Sequence, residues 1–316
     1  MDKSNSIDKL PKPAIYFPII DGHYSTRAGL SRFGDDIGNG KQDAQLFQFD
    51  NTYTLYRNNK LAIRDQSIDH YVCTDTTSLE VLKETGKWLL QHLCKEHPDK
   101  FLLQHAAQSM QLSCHLTSDK IFINNDGSLN SQNISYKNLF DALALQVQED
   151  ICVMQKDGDR MKMVAAHLCA ANHWSAREKL LMDMSDLHQH VPGFTDNNPE
   201  PDKLLLGLQK KIHPYTRFAW GLCKHATLNQ HPEQPPKQDS NSGLFMRVER
   251  QAIWPMVNTE TLLFTIRTYF YDCAELDTQQ CRSLINAVNS MSDATLRYKN
   301  INRTNVVNKL LTLLDG

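Results

Sequence analysis

Ile151-Cys152-Val153-Met154-Gln155-Lys156-Asp157-Gly158-Asp159-Arg160-Met161, with the apolar run that continues to Cys169, reads as two strands joined by a glycine turn. Downstream, Ser175-x-x-Glu178 starts a short helix expected to end near Asp186, and Lys203 to Ile212 is helical in pattern. Three more strand-like runs follow, Phe218 to Leu228, Phe245 to Ile253 and Leu262 to Phe270, before the pattern returns to helix over Thr278 to Val288 and Asn305 to Leu314. Upstream, Thr77-x-x-Glu80 is a capping box ahead of Leu79, Leu82, Leu89, Leu90 and Leu93; helix is also expected over Lys100 to Met110 and Leu139 to Val147. The first 50 residues, rich in Gly, Asp and Ser, predict an extended arm, carried to about residue 70, with residues 71–316 as one compact unit. Strands on short turns, interrupted by one helical excursion, give an antiparallel sheet with helical extensions at both ends, an α+β architecture. The polar, Pro-rich run from His231 to Gly243 is a loop that carries no chemistry.

The chain of 316 residues has 34 Lys and Arg against 36 Asp and Glu, a net charge of −2 that excludes a binder relying on phosphate neutralisation. No window approaches the apolar length of a membrane span, and Met1 to Lys12 has no apolar core of a secretory signal, so a cytoplasmic location is expected. Eight cysteines are scattered without a CxxC pair, the pattern of reduced, buried thiols. No Gly-x-Ser-x-Gly, phosphate-binding loop or dinucleotide fingerprint occurs. Histidine, with 13 copies, is the residue type left to explain, because neutral imidazole is the commonest protein metal ligand.

The densest candidate is Asp186-Leu187-His188-Gln189-His190-Val191-Pro192-Gly193. On an extended segment His188 and His190 point to opposite sides, so one of them faces the interior, and one inward imidazole suits an axial haem ligand. Among Arg247-Val248-Glu249-Arg250-Gln251, alternation puts Arg247, Glu249 and Gln251 on one face. Such a face either is solvated or binds something charged. Arg267, alone in the apolar run Leu262 to Phe270, is placed to hold a carboxylate such as a haem propionate, and Arg217 is a similar cation at a strand start.

Taken together, Gln148-Glu149-Asp150-Ile151-Cys152-Val153-Met154, Trp174 with Lys179, Leu187-His188 with Val191-Pro192-Gly193, Arg217-x-x-Trp220, Arg247 to Gln251 and Phe264 to Tyr269 occur in an order that resembles the haem-binding alpha subunit of the haem-dependent oxidative N-demethylases. The ordered motifs span residues 140–272, with weaker similarity reaching Asp50-x-x-Tyr53. The resemblance implies a PAS-like antiparallel sheet holding haem b, with His188 as the iron ligand and Glu249 and Arg217 as active-site residues. Arg217, Arg247, Arg267 and Tyr269 are expected beside the cofactor. It further implies oxidative removal of an N-methyl group from a small secondary amine, dimethylamine-like, with O2 consumed and formaldehyde released. Electrons would come from NADPH through FMN and a [2Fe–2S] cluster on a separate reductase subunit.

Two positions depart from the family. His190 stands where Pro is frequent, and Ala219 stands where Asn is frequent, which bears on substrate and activity. A non-catalytic PAS-like sensor or assembly module is the alternative, and a non-haem metal site on His188 and His190 is a third. Neither nucleic acid nor membrane is expected as a partner, and a homo-oligomer is left open.

Overall fold

The computed structural model describes residues 7, 9–132, 134–234 and 243–315. Among them are eleven strands: β1 (Ser31–Arg32), β2 (Val72–Cys73), β3 (Phe101–His105), β4 (Ser109–Cys114), β5 (Lys120–Asn124), β6 (Leu129–Ser131), β7 (Asp150–Asp157), β8 (Arg160–His167), β9 (Tyr215–Cys223), β10 (Phe245–Met256) and β11 (Thr261–Asp272). The helices are α1 (Tyr53–Gln66), α2 (Ile68–Tyr71), α3 (Leu79–Glu96), α4 (Leu139–Ala144), α5 (Ala176–Lys179), α6 (Met184–His188), α7 (Phe194–Asn197), α8 (Pro201–Gln209), α9 (Thr278–Ser290), α10 (Asp293–Tyr298) and α11 (Arg303–Asp315). The architecture is α+β, with every strand pair inside the two sheets antiparallel.

The β7–β8 hairpin closes through Gly158, whose φ of +62° lies in the left-handed region that glycine enters without steric cost. It sits inside a seven-stranded sheet of order β1-β9-β10-β11-β7-β8-β2. Period-two burial sorts the side chains of this sheet onto two faces. Ile151, Val153, Ala252 and Leu263 face a core shared with α3 and α4. Cys152, Met154, Ile253 and Leu262 face a second core containing Leu205 and Leu208 of α8. At the other end of the first face, Met246, Val248 and Tyr269 pack under α9, where Cys281, Leu284 and Val288 are buried. The helical excursion between β8 and β9 therefore covers one face, and the C-terminal helices cover part of the other.

Three expectations are corrected. Lys100 to Met110 is not a helix: Phe101 pairs with Cys114 and His105 with Met110 across a turn closed by Ala106 N–H to Ser109 O at 2.9 Å. Phe101 and Cys114 are buried while Leu102 is exposed, so packing on α3 overrides the local helical tendency. The cap of α3 is Ser78, one residue later than the Thr77 box, with its side chain accepting from Val81 N. Finally, the arm is not extended to residue 70. Its last part is α1, a 14-residue helix that buries Tyr53, Tyr56, Arg57, Lys60, Ile63 and Arg64. Most of the Pro-rich loop between β9 and β10, residues 235–242, lies outside the described residues.

Candidate active site

Where β9, β10 and β11 run side by side, Arg217 is the cross-strand partner of Gln251, and Gln251 of Ile266. Directly opposed residues share a face, so Arg217, Gln251, Glu249, Ile253 and Phe264 all project to the side covered by α5–α8. The charged face read from alternation is present. Arg217 Nη1 donates to Gln251 Oε1 at 2.9 Å, and Gln251 Nε2 donates to Glu249 Oε2 at 3.2 Å. Arg217 Nε donates to the carbonyl of Ala28 in the N-terminal segment at 3.0 Å, which fixes the guanidinium from the far side. Burial pulls the pKa of Arg217 below its ordinary value, with Glu249 and Tyr24 acting against that shift.

Between this row and the helices lies an apolar cleft lined by Met184, Phe194, Leu205, Leu208, Ile253 and Phe264, with Arg217 at its polar end. His188 is the last residue of α6, not part of an extended segment, so the sidedness argument for His188 and His190 does not apply. Asp183 caps this short helix by accepting from Asp186 N, and Gly193, at φ +72°, turns the chain into α7. The ring of His188 stacks on Phe194 with centroids 4.4 Å apart. Its Nδ1 lies 3.1 Å from Met184 O. A carbonyl only accepts, so Nδ1 carries the proton and Nε2 is left with its lone pair, the tautomer a metal-binding imidazole requires. Burial holds the His188 pKa down to about 4, with the cations of Arg217 and Lys179 adding to the effect against the Met184 bond. The imidazole is neutral at neutral pH.

Other expected site residues are elsewhere. Arg267 pairs with Arg250 across the strands and lies on the opposite face. There it is fully buried, 2.6 Å from Asp50 Oδ2, with its guanidinium carbon 3.9 Å from the centroid of Tyr56 and 4.6 Å from that of Tyr269. Tyr269 shares that face and donates to Gln48 Oε1. Neither residue reaches the cleft. Arg247 is on the expected face but is spent on the carbonyls of Ala170 and Leu228, at 2.6 and 3.1 Å, and on Glu249 Oε1 at 3.4 Å. His190 is exposed, and Ala219 is the cross-strand partner of Glu249.

The surroundings of Glu249 contain three residues that sequence patterning did not single out. Lys299, just beyond α10, places Nζ 2.9 Å from Trp220 O and 5.2 Å from the ring centroid of Tyr24. A Cβ on Gly221 would lie 3.7 Å from that Nζ, in ordinary contact, so the lysine packs directly over this strand position. Burial lowers the Lys299 pKa to about 8, opposed by Glu249, and Glu249 in turn contributes to raising the pKa of Tyr298. Burial raises Tyr24 to about 12.

A metal centre is less well supplied. Among the described residues the one clustered set of His, Cys and acidic ligands is Asp150, His167 and Cys169, all buried. Asp150 already accepts from Cys169 N and Ala170 N at 2.9 and 2.7 Å, and the Lys60 ammonium lies 4.0 Å away, where it opposes a second cation.

As a test of haem, the donor chemistry fits: apolar walls with the half-buried cation of Arg217 in the cleft, and beside it, stacked on the lining residue Phe194, the neutral imidazole of His188. The room is small, about 20 Å³, which accommodates roughly one water molecule. A porphyrin enters only if the α6–α8 segment stands farther from the sheet. Among the described residues no helix is long and apolar enough to cross a membrane. Residues 39–308, which include every strand from β2 onward and the helices α5–α8, match the family described as haem-dependent oxidative N-demethylase, alpha subunit-like, and the chain belongs to that family.

Proposed function

We propose that this chain is the haem-carrying subunit of an oxidative N-demethylase acting on a small secondary amine. The observation that carries the reading is Arg217, at the polar end of an apolar cleft and linked through Gln251 to Glu249, together with a neutral, tautomer-fixed His188 in the helical cover. The order β9-β10-β11-β7-β8, with the helices inserted between β8 and β9, supports the PAS-like form of the sheet. His188 would hold the iron of haem b through Nε2, and Arg217 is the cation nearest the cleft for a carboxylate or an oxygen species. Bound haem supplies the one-electron and O2 chemistry that amino-acid side chains lack.

In the overall reaction, O2 takes two electrons and two protons. One oxygen atom leaves as water and the other in formaldehyde, and the amine loses one N-methyl group. Glu249 is the carboxylate that would hold a cationic amine by charge-assisted hydrogen bonding and take its proton. Gln251 stands between Arg217 and one oxygen of that carboxylate, and Arg247 Nε lies 3.4 Å from the other. Ile253 and Phe264 exclude water from the reacting end. As the family resemblance implies, the two electrons would come from NADPH through FMN and a [2Fe–2S] cluster on a partner subunit.

The test is spectroscopic first. Purified protein reconstituted with haem shows a Soret band that His188→Ala abolishes or strongly shifts, and an unchanged spectrum rejects the ligand assignment. With a competent reductase, O2 and dimethylamine, wild type releases formaldehyde, whereas Glu249→Gln keeps the Soret band and loses most of the product. The close-fitting cleft and Ala219 favour a second reading, a haem-binding sensor. Absence of formaldehyde from every methylamine tried would select it.

A further inference from the structure

On the opposite side of the sheet from the cleft, the N-terminal segment, the 38–45 turn and the residues just after α3 border an open surface pocket of about 580 Å³, within the size range of small-molecule sites. Its lining includes Lys12, Lys41 and Lys100 and no Asp or Glu. This asymmetry stands out in a chain whose net charge is −2. We propose that the pocket is a binding site for a small polyanion, a molecule bearing two or more carboxylate or phosphate groups. The proposal does not depend on the demethylase reading.

The pocket is built rather than left over. Asp43, 2% exposed, accepts from Ile37 N at 2.8 Å, Asn39 N at 2.9 Å and the Tyr16 hydroxyl at 2.8 Å, which fixes the turn. Asn39 clasps the backbone of Ile15 from both sides, receiving its N–H at 2.8 Å and donating to its carbonyl at 3.0 Å. Gln42 Nε2 donates to Lys12 O at 3.2 Å, so the segment carrying Lys12 is held against the turn carrying Lys41. The floor is His97, 2% exposed, and Phe49, 3% exposed, their rings edge to face at 4.7 Å.

This framework holds donors that are still unused. Among the described residues neither Lys12 nor Lys41 has an ion-pair partner, and the Gln45 side chain makes no hydrogen bond. Lys100 pairs with Asp99 at 2.7 Å, but Asp99 is 71% exposed, a partner that an incoming anion can replace at little cost. Two ammonium groups, a third recruitable one and a free amide around one cavity match several anionic oxygens. They match a single monoanion poorly, since it would leave the rest unsatisfied.

Calorimetric titration of the full chain at low salt with citrate and with inorganic pyrophosphate tests the proposal and separates carboxylate from phosphate ligands. One-to-one binding of either probe with Kd under about 1 mM is expected, with about tenfold or greater weakening in the double variant Lys12→Gln/Lys41→Gln. His188→Ala should leave that binding unchanged. Both lysines are exposed, so the double variant should keep the wild-type circular dichroism spectrum and Tm. Absence of heat with both probes, or equal binding by the double variant, overturns the proposal.

Discussion

Arg217 and Glu249 are joined through Gln251 rather than to each other: the amide oxygen of Gln251 takes the guanidinium at 2.9 Å and its NH2 serves the carboxylate at 3.2 Å. An amide is suited to this position because it is acceptor at one end and donor at the other. Gln251→Leu breaks both bonds and leaves two charged groups short of partners. We expect a loss of about 1–3 kcal/mol in urea-induced unfolding. A variant as stable as wild type would show that the row carries no structural weight.

Arg267 is expected to act as an internal strut and not as a cofactor ligand. It is fully buried, paired with Asp50 and flanked by Tyr56 and Tyr269. Removing one partner of a buried pair strands the other charge, at a cost of about 3–5 kcal/mol. Arg267→Met should therefore lower Tm sharply, while Arg217→Met, at the cleft, lowers it less and changes the haem spectrum. The opposite ranking would return Arg267 to the cofactor.

Acid should unfold the protein in two overlapping stages. The pKa of His188 falls from 6.5 unfolded to about 4 folded, so between these values the unfolded chain binds more protons and stability drops as pH falls. His167 and His173, also lowered by burial, share that stage. Glu96 and Asp141 are each held down at about 2, against burial, chiefly by His92 and His97 for Glu96 and by His167 and Arg64 for Asp141. Their contribution is complete above about pH 4.5 and is lost as pH falls through about 2. His188→Gln should flatten the upper stage and leave the lower one, as read from urea midpoints between pH 7 and 3.

Lys299 gives the reverse end of the scale. Its pKa drops from 10.5 to about 8 on folding, so the folded state is relieved of a protonated lysine as pH rises through that interval. The stability difference between wild type and Lys299→Met should move in favour of wild type from pH 7.5 to 9.5. A difference independent of pH would place the ammonium in solvent.

The strands and the C-terminal helices were readable because each has a strong period and its own turn residues, as at Gly158. Pairing of Arg247, Glu249 and Gln251 on one face followed from alternation alone. Arg267 lies on the face away from the cleft, which the sequence could not reveal: a lone cation in an apolar strand signals burial but does not say which face. Its partner Asp50 is 217 residues away in sequence, a separation that no local pattern encodes. Lys299 was invisible because it follows a short helix with no motif and reaches Trp220 only through the packing of α9 and α10. The hairpin at 101–114 was missed because its alternation is short and its neighbours are helical.

The seven-stranded sheet ends in β1 and β2, each two residues long. Only the start of β9 is paired to β1, at Thr216 and Tyr215, which leaves Phe218 to Cys223 as an edge. Lys299 lies across that edge and ties up the Trp220 carbonyl. A strand from another molecule pairing along Phe218 to Cys223 would have to displace that ammonium first. Backbone addition along this edge therefore begins by displacing a side chain of the same molecule, and the Lys299 ammonium acts as a guard on the sheet.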